Sequence, residues 1–353
     1  MTSFQKAVDY SIQNETPWDR TNSANWGIHN ADRPPWNRLL GPVYPRGPVS
    51  GVIRVAGRIA AQWGEPDRAD LTFSVAKTYL ALLAGVAFDR GLLISLDEPV
   101  LNKIKGIGFE AQQNQFITWR HLLQQTSEFE GECFGVPDQV DRYRHLQYQP
   151  AQLAEDATFQ KGDARPLQKP GSFWEYNDVR INQLSLALLH LFRKPLPEVF
   201  RQAITQPIGV SENWRWEGYD NSWVDIDERK MQSVPGGTHW GGGVVISASD
   251  QSIIGQMMLN RGLVGNRQII SSQWIEWMQT PCAIAPWYGM LIWLNLAGSV
   301  FASASKESYF CIGAGASVVW VDPTRDMVAV VRWIDGSKID GFCAAVACAD
   351  QDF

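Results

Sequence analysis

Ser74 and Lys77 stand three residues apart in Leu71-Thr72-Phe73-Ser74-Val75-Ala76-Lys77-Thr78-Tyr79, at the entry to an apolar run from Tyr79 to Phe88. On a helix, positions i and i+3 share a face, so hydroxyl and ammonium can meet. A lysine that has lost its proton can take that of the serine, which turns a weak nucleophile into one able to attack a carbonyl. Free N–H groups at a helix start favour the negative charge that then develops. Ser-x-x-Lys also occurs at Ser3–Lys6, in the N-terminal tail, and at Ser303–Lys306, in the small-polar turn Ala302 to Ser308. The plainer reading of such a pair is a helix-start serine beside a solvated lysine. Only Ser74 opens a long apolar helix, and there the plainer reading gives way.

The elements that must position this pair follow from the rest of the pattern. Phe4 to Ile12 reads as a short amphipathic helix, and Pro17 to Pro48, rich in Pro, Trp, Asn and Gly, as an irregular wrapping segment. Gly51–Val55 and Arg58–Trp63, around Ala56-Gly57, read as a β-hairpin. The serine helix follows and stops at Gly91. Thr118 caps a helix that runs to Ser127, and His121 on it reads as a packed structural histidine. The charged loop Glu128 to Arg144 is expected to be exposed. Lys169-Pro170-Gly171 marks a turn before Tyr176-Asn177-Asp178 and a helix from Val179 to Phe192. Asp250 to Asn260 is helical. Strands are expected at Trp287–Leu296, Ser317–Val321 and Met327–Trp333, then a last helix over Ile339–Ala349. Strands at both ends around a helical middle predict an α/β (α+β) fold: an antiparallel sheet flanked by helices, with an inserted helical subdomain.

Composition narrows the function. The chain has 353 residues, 45% of them hydrophobic, with net charge −6. That is ample for one catalytic domain spanning 1–353, with a core from about 45–90 and 236–353 and a helical subdomain over about 91–235. Acidic balance and no dense Lys/Arg stripe argue against a nucleic-acid partner. No apolar run is long enough to span a bilayer, and Met1 to Glu15 has no signal-peptide core. Five cysteines without a C-x-x-C suit free thiols and a cytoplasmic location. The five histidines show no metal spacing, and neither a nucleophile elbow nor a complete dinucleotide fingerprint is present. A cofactor-free, metal-free enzyme acting on a small molecule is expected.

Ser74-x-x-Lys77 on a helix, then Pro170-Gly171 and Tyr176, then glycine-rich strands, resembles the serine β-lactamase and penicillin-binding-protein superfamily. It is most similar to the branch holding esterases and aminohexanoate-dimer hydrolases. The resemblance runs from about Gly51 to the C-terminus and includes Gly241-Gly242-Gly243 with Ser247-x-x-Asp250. It implies that Ser74 is the acylated nucleophile, Lys77 its proton acceptor and Tyr176 the group that passes the proton to the leaving group. The oxyanion donors it implies are the N–H of Ser74 and the edge strand near Gly313-Ala314-Gly315.

Two departures from the family pattern matter. Its second motif, Tyr-x-Asn, is here Tyr176-Asn177-Asp178. If Asp178 faces Lys77, it favours the charged lysine and shifts the base role toward Tyr176; alternatively it caps the helix at Val179. The third motif, Lys-Thr-Gly or His-x-Gly, should fall within Cys311-Ile312-Gly313-Ala314-Gly315, where no cation stands. His239 and Trp240, before three glycines, border the pocket in relatives, so His239, or a more distant arginine, could replace that cation; the plainer reading of His239 is a histidine satisfied by a carbonyl. The sixteen tryptophans would suit an aromatic pocket wall, though most should be packing. Hydrolysis of a small ester or amide is expected, uncharged esters above penicillins. A weakly active binding homologue is the alternative, and a true β-lactamase is the less favoured one.

Overall fold

The computed structural model describes residues 4–21, 26, 28–144, 146 and 159–349. Its spine is a six-stranded antiparallel sheet of β1 (Ser50–Val55), β2 (Arg58–Trp63), β3 (Trp293–Leu294), β4 (Tyr309–Gly313), β5 (Ser317–Asp322) and β6 (Met327–Arg332). The order is β3-β4-β5-β6-β1-β2, so the two ends of the chain meet at the centre, Ile53 opposite Ala329. The first hairpin forms where Ala56-Gly57 predicts it, both residues with positive φ.

Alternation along these strands divides the two faces. Arg54 donates to Ser252 of α5 (Ala248–Leu259), and Gly255 of α5 lies close against Val328 and Val319. Cys311, on the same face, meets α2 (Val75–Asp89) at Thr78. On the other face Trp63 packs on Phe342 of the last helix, α7 (Ile339–Ala349), which lies against α1 (Gln5–Gln13). The helix α2 is buried on all sides, between the sheet and α4 (Asp178–Phe192), and ends as expected at Gly91, φ 69°. Thr118 caps α3 (Trp119–Leu123) by accepting the His121 N–H at 3.2 Å, while His121 Nδ1 accepts from the Thr118 N–H at 3.2 Å. His121 is thus a structural residue.

Three sequence expectations change. The helix capped by Thr118 ends at Leu123 and not at Ser127. Trp287–Leu296 is not one strand: the chain turns back where the Gly289 N–H bonds to the Ile292 carbonyl and Leu291 takes a φ of 56°, and only Trp293–Leu294 joins the sheet. The loop from Glu128 to Arg144 keeps Glu130 and Glu132 exposed but buries Glu128, Asp138 and Asp141, because these three carboxylates meet Arg165, Arg180 and Lys161 from distant segments. Among the described residues no helix is long and apolar enough to cross a membrane.

Gly85, midway along α2, marks how closely the serine helix is packed. A Cβ there would lie 2.5 Å from the buried Trp274 ring in α6 (Ser272–Met278), and the Trp274 indole N–H donates to the Ala81 carbonyl at 3.0 Å. Overpacking of this kind costs about 1–3 kcal/mol, more than the helix gains by losing a glycine. Gly85→Val should therefore lower the thermal midpoint measured by scanning fluorimetry; an unchanged midpoint would show that Trp274 can move aside.

Candidate active site

Ser74 sits at the N-cap of α2, directly after Phe73, which holds a left-handed φ of 51°. A non-glycine residue there needs support from its surroundings. Trp18, Trp26 and Trp333 supply it, with ring centroids 5.8, 6.0 and 5.9 Å from the Phe73 ring. The turn closes through Ala76 N–H to the Phe73 carbonyl and Lys77 N–H to the Ser74 carbonyl. One helical turn on, Lys77 is 1% exposed, and its Nζ lies 2.8 Å from Ser74 Oγ. Ser303 bonds instead to Asp340, with Lys306 exposed, and Ser3 lies outside the described residues.

Asn177 and Asp178 divide two tasks that the sequence left open. Asn177 caps α4, its side-chain oxygen accepting from Val179 N and Arg180 N at 3.0 and 3.2 Å. Asp178 is therefore free to face the serine helix, and its Oδ1 lies 2.5 Å from Lys77 Nζ. Its Oδ2 takes Arg144 Nη1 at 2.6 Å, with His239 Nδ1 at 3.4 Å. Asp141 accepts the Asp178 N–H at 2.6 Å and pairs with Arg144 and Lys161. Lys161 and His239 both reach Asp32. Three carboxylates are thus matched by three cations in a buried cluster. Ligand atoms of Asp141, Asp178 and His239 lie within 4.8 Å of one another, close enough for a metal ion, but Lys77, Arg144 and Lys161 already stand on those carboxylates.

Burial alone would push the Asp178 carboxyl up, but Arg144 and Lys77 hold it well below the usual carboxylate range. Burial pulls Lys77 below the usual lysine value, against the opposing pull of Asp178. The Tyr176 phenol is pushed up, by burial first and then by Asp178, with Ser74 opposing as a hydrogen-bond partner. Lys77 Nζ lies 4.7 Å from the centre of the Tyr176 ring, whose orientation is fixed by Trp293 stacked at 5.9 Å.

Ser74 and Tyr176 open into a cavity of about 380 Å³. Trp18, Leu146, Trp293, Ile312 and Ile334 give it apolar surface, and Arg144 and Asp335 give it charge. Gly313, Ala314 and Gly315 line it as the sequence suggested. A Cβ on Gly313 would lie 2.3 Å from the Thr72 carbonyl and 3.1 Å from Ser74 N, so only glycine lets the end of β4 come this close to the nucleophile.

Four other residues expected beside substrate do not line the cavity. Cys311 points to the α2 face because strand alternation gives the cavity to Ile312. Asp178 is buried behind Lys77. His239 is 3% exposed within the ion cluster, so it cannot replace a third-motif cation. Trp240 is wholly buried, its indole N–H shared between Asp32 and the Trp36 carbonyl. The three glycines after it serve a close packing: a Cβ on Gly241 would lie 2.1 Å from the Gly41 carbonyl. Sequence reasoning missed Asp32, Asp141, Arg144, Lys161 and the Gly236-Gly237 pair. A Cβ on Gly237 would lie 3.2 Å from Lys77 Nζ and 3.4 Å from Ser74 Oγ. Pro235-Gly236-Gly237 was legible as a turn; nothing in it pointed to Lys77.

No curated protein gives a significant sequence match. Among solved structures, a Bacillus anthracis protein assigned as a 6-aminohexanoate-dimer hydrolase is similar over 86% of this chain and 80% of its own, with TM-score 0.62 and 17% identity. EstCE1, a hydrolase with promiscuous acyltransferase activity, covers 99% of this chain and 98% of its own, with TM-score 0.62 and 16% identity. A D-stereospecific amidohydrolase from Streptomyces covers 95% and 96%, with TM-score 0.58 and 16% identity. At such identities the likeness is one of fold, and the fold is the mixed helix and antiparallel sheet of β-lactamases and transpeptidases. The beta-lactamase family model matches residues 62–333, a span that holds Ser74, Lys77, Tyr176 and the Gly313 strand, and the chain belongs to the beta-lactamase family of serine hydrolases.

Proposed function

We propose that this chain cleaves a small ester or amide through an acyl-enzyme on Ser74, without a cofactor. One observation carries the reading: Lys77 Nζ lies 2.8 Å from a serine hydroxyl that opens, with Tyr176, into a cavity of small-molecule size. The hydrolase, acyltransferase and amidohydrolase activities of structural neighbours support it.

Neutral Lys77 takes the Ser74 proton as Oγ attacks the carbonyl carbon. The resulting oxyanion faces the helix start at Ser74 N–H and the backbone around Gly313 to Ala316. Collapse breaks the bond to the alcohol or amine, which leaves with a proton passed from Lys77 through Tyr176. Water then attacks the acyl carbon and gives up a proton through Tyr176 to Lys77; collapse breaks the bond to Ser74 Oγ, which takes that proton back from Lys77 as the acid departs. Burial lowers Lys77 and raises Tyr176, so the lysine is the base and the neutral phenol the conduit. This differs from the expectation that Asp178 would hand the base role to Tyr176. A weakly active binding homologue is the second reading, favoured by the 2.5 Å pair that holds a proton on Lys77.

A fluorophosphonate should label the wild-type chain once, on Ser74, and p-nitrophenyl esters should be turned over; Ser74→Ala should abolish both. Labelling without turnover would favour the binding homologue, and labelling of another residue would sink both readings.

Tyr176→Phe removes only the phenolic oxygen and should lower turnover by roughly 10²–10⁴, the usual worth of a positioned acid–base group. Unchanged single-turnover rates would take Tyr176 out of the mechanism.

Asp178→Asn tests the ion pair through pH. Asp178 raises the value at which Lys77 loses its proton, and the active form is the deprotonated one. Removing the carboxylate should therefore move the rising limb of kcat/KM to lower pH. A limb that stays in place, or moves up, would mean that it does not report Lys77.

A further inference from the structure

The lysine, histidine or threonine missing from β4 left the pocket without a partner for an anionic substrate. The structure fills that gap from elsewhere. Arg144, beyond the helical turn at Asp138–Asp141, lines the cavity together with Ser74 and Tyr176. Its Nη1 is held by Asp178 at 2.6 Å and Asp141 at 3.2 Å, and its guanidinium carbon lies 5.4 Å from the centre of the Tyr176 ring. Among the described residues, no ion pair or hydrogen bond engages Nη2 or Nε. Those two nitrogens form the edge of the guanidinium that binds carboxylates in parallel, and the side chain is 13% exposed. The anchoring by Nη1 leaves this fork fixed, so a ligand meets a donor pair whose position is already set.

We propose that Arg144 is the specificity-determining cation of this site, and that the preferred substrates are esters or amides carrying a carboxylate. This rests on Ser74 being the nucleophile of the same cavity. The other charged group in the lining, Asp335, stands apart from this role. Its Oδ1 accepts the N–H and hydroxyl of Ser337 at 2.8 and 2.6 Å. The expectation that uncharged esters are preferred followed from the missing cation in β4, with a more distant arginine left open as its substitute; with Arg144 in that role, the expected preference reverses. His239, the other cation considered, is sealed behind Asp178 and takes no part.

The test compares mono-p-nitrophenyl esters of succinate, glutarate and adipate with the neutral butyrate, valerate and hexanoate esters of matching length. A charge-assisted bidentate contact predicts that at least one half-ester exceeds its neutral counterpart in kcat/KM by roughly tenfold to a hundredfold. Arg144→Gln should bring that ratio to about one or below, and Arg144→Lys, which keeps the charge but not the fork, should leave an intermediate ratio. A purely structural arginine would lower both kinds of ester together and leave the ratio intact, and that result overturns the proposal. So does a wild-type ratio near one at every chain length, with neutral esters still cleaved through Ser74. If Arg144→Gln fails to fold, the ratio in Arg144→Lys decides. If no ester is turned over, the Ser74 reading fails separately. Calorimetry on Ser74→Ala then decides the binding claim: monomethyl glutarate should bind and dimethyl glutarate should not, and equal binding overturns it.

Discussion

A lysine ammonium 2.5 Å from a carboxylate, both shut off from water, sets the terms for this protein. Removing two charges from water costs several kcal/mol each, and their mutual attraction recovers this only if the remaining bonding capacity is also met. Around Lys77 and Asp178 it is met in sequence. Arg144 and the Asp178 N–H bring in Asp141, Asp141 brings in Lys161, and Lys161 brings in Asp32 with His239 and Trp240 behind it. The Lys77 ammonium also reaches the Gly236 carbonyl at 3.3 Å, and bare glycine at 237 leaves the room. The cluster fixes the lysine on the serine and holds its proton affinity between two opposed forces.

The same requirement explains why a charged loop runs through the interior. A second cluster continues the pattern. Glu128 takes Arg165 through two bonds of 2.6 Å and Arg180 at 2.8 Å, while Arg180 and Arg142 share Asp138. Asp138 gives its carbonyl to Asn177 Nδ2 at 2.9 Å, so the cap of α4 is tied to this cluster too. The start of α4, with Tyr176 just before it, is therefore clamped from the helical side. Trp293 stacks on Tyr176 from the sheet side. The site is built where the two meet, and each half contributes groups that the other cannot supply.

The N-terminal segment takes part in the site. Thr16 N–H bonds to the Trp333 carbonyl and Asp335 N–H to the Asn14 carbonyl, which lays Thr16 to Trp18 along one wall of the cavity. Trp18 and Trp26 also close the aromatic cage that holds Phe73 in its left-handed turn. A stretch that composition marked only as irregular wrapping thus supports the backbone that aims Ser74.

The sequence by itself determined what is local. Ser74 and Lys77 can meet because i and i+3 lie on one helical face. The first hairpin, the Gly91 stop and the Thr118 cap follow from backbone preferences within a few residues. Tertiary structure decided everything that depended on which distant charge arrives. Asn177 and Asp178 can each cap a helix, and only the position of Lys77, about a hundred residues earlier, assigned one to the cap and the other to the ion pair. Glu128, Asp138 and Asp141 read as an exposed loop because charge alone predicts water, and partners at 161, 165 and 180 turned them inward. His239 and the glycines after it had the composition of a pocket edge, yet Asp32 and the Gly41 backbone claimed them. Arg144 looked like one loop charge among several; only the folded chain set its guanidinium beside the serine. Periodicity encodes which face a residue takes within its own helix or strand, but it carries no information about the charge that will stand across from it.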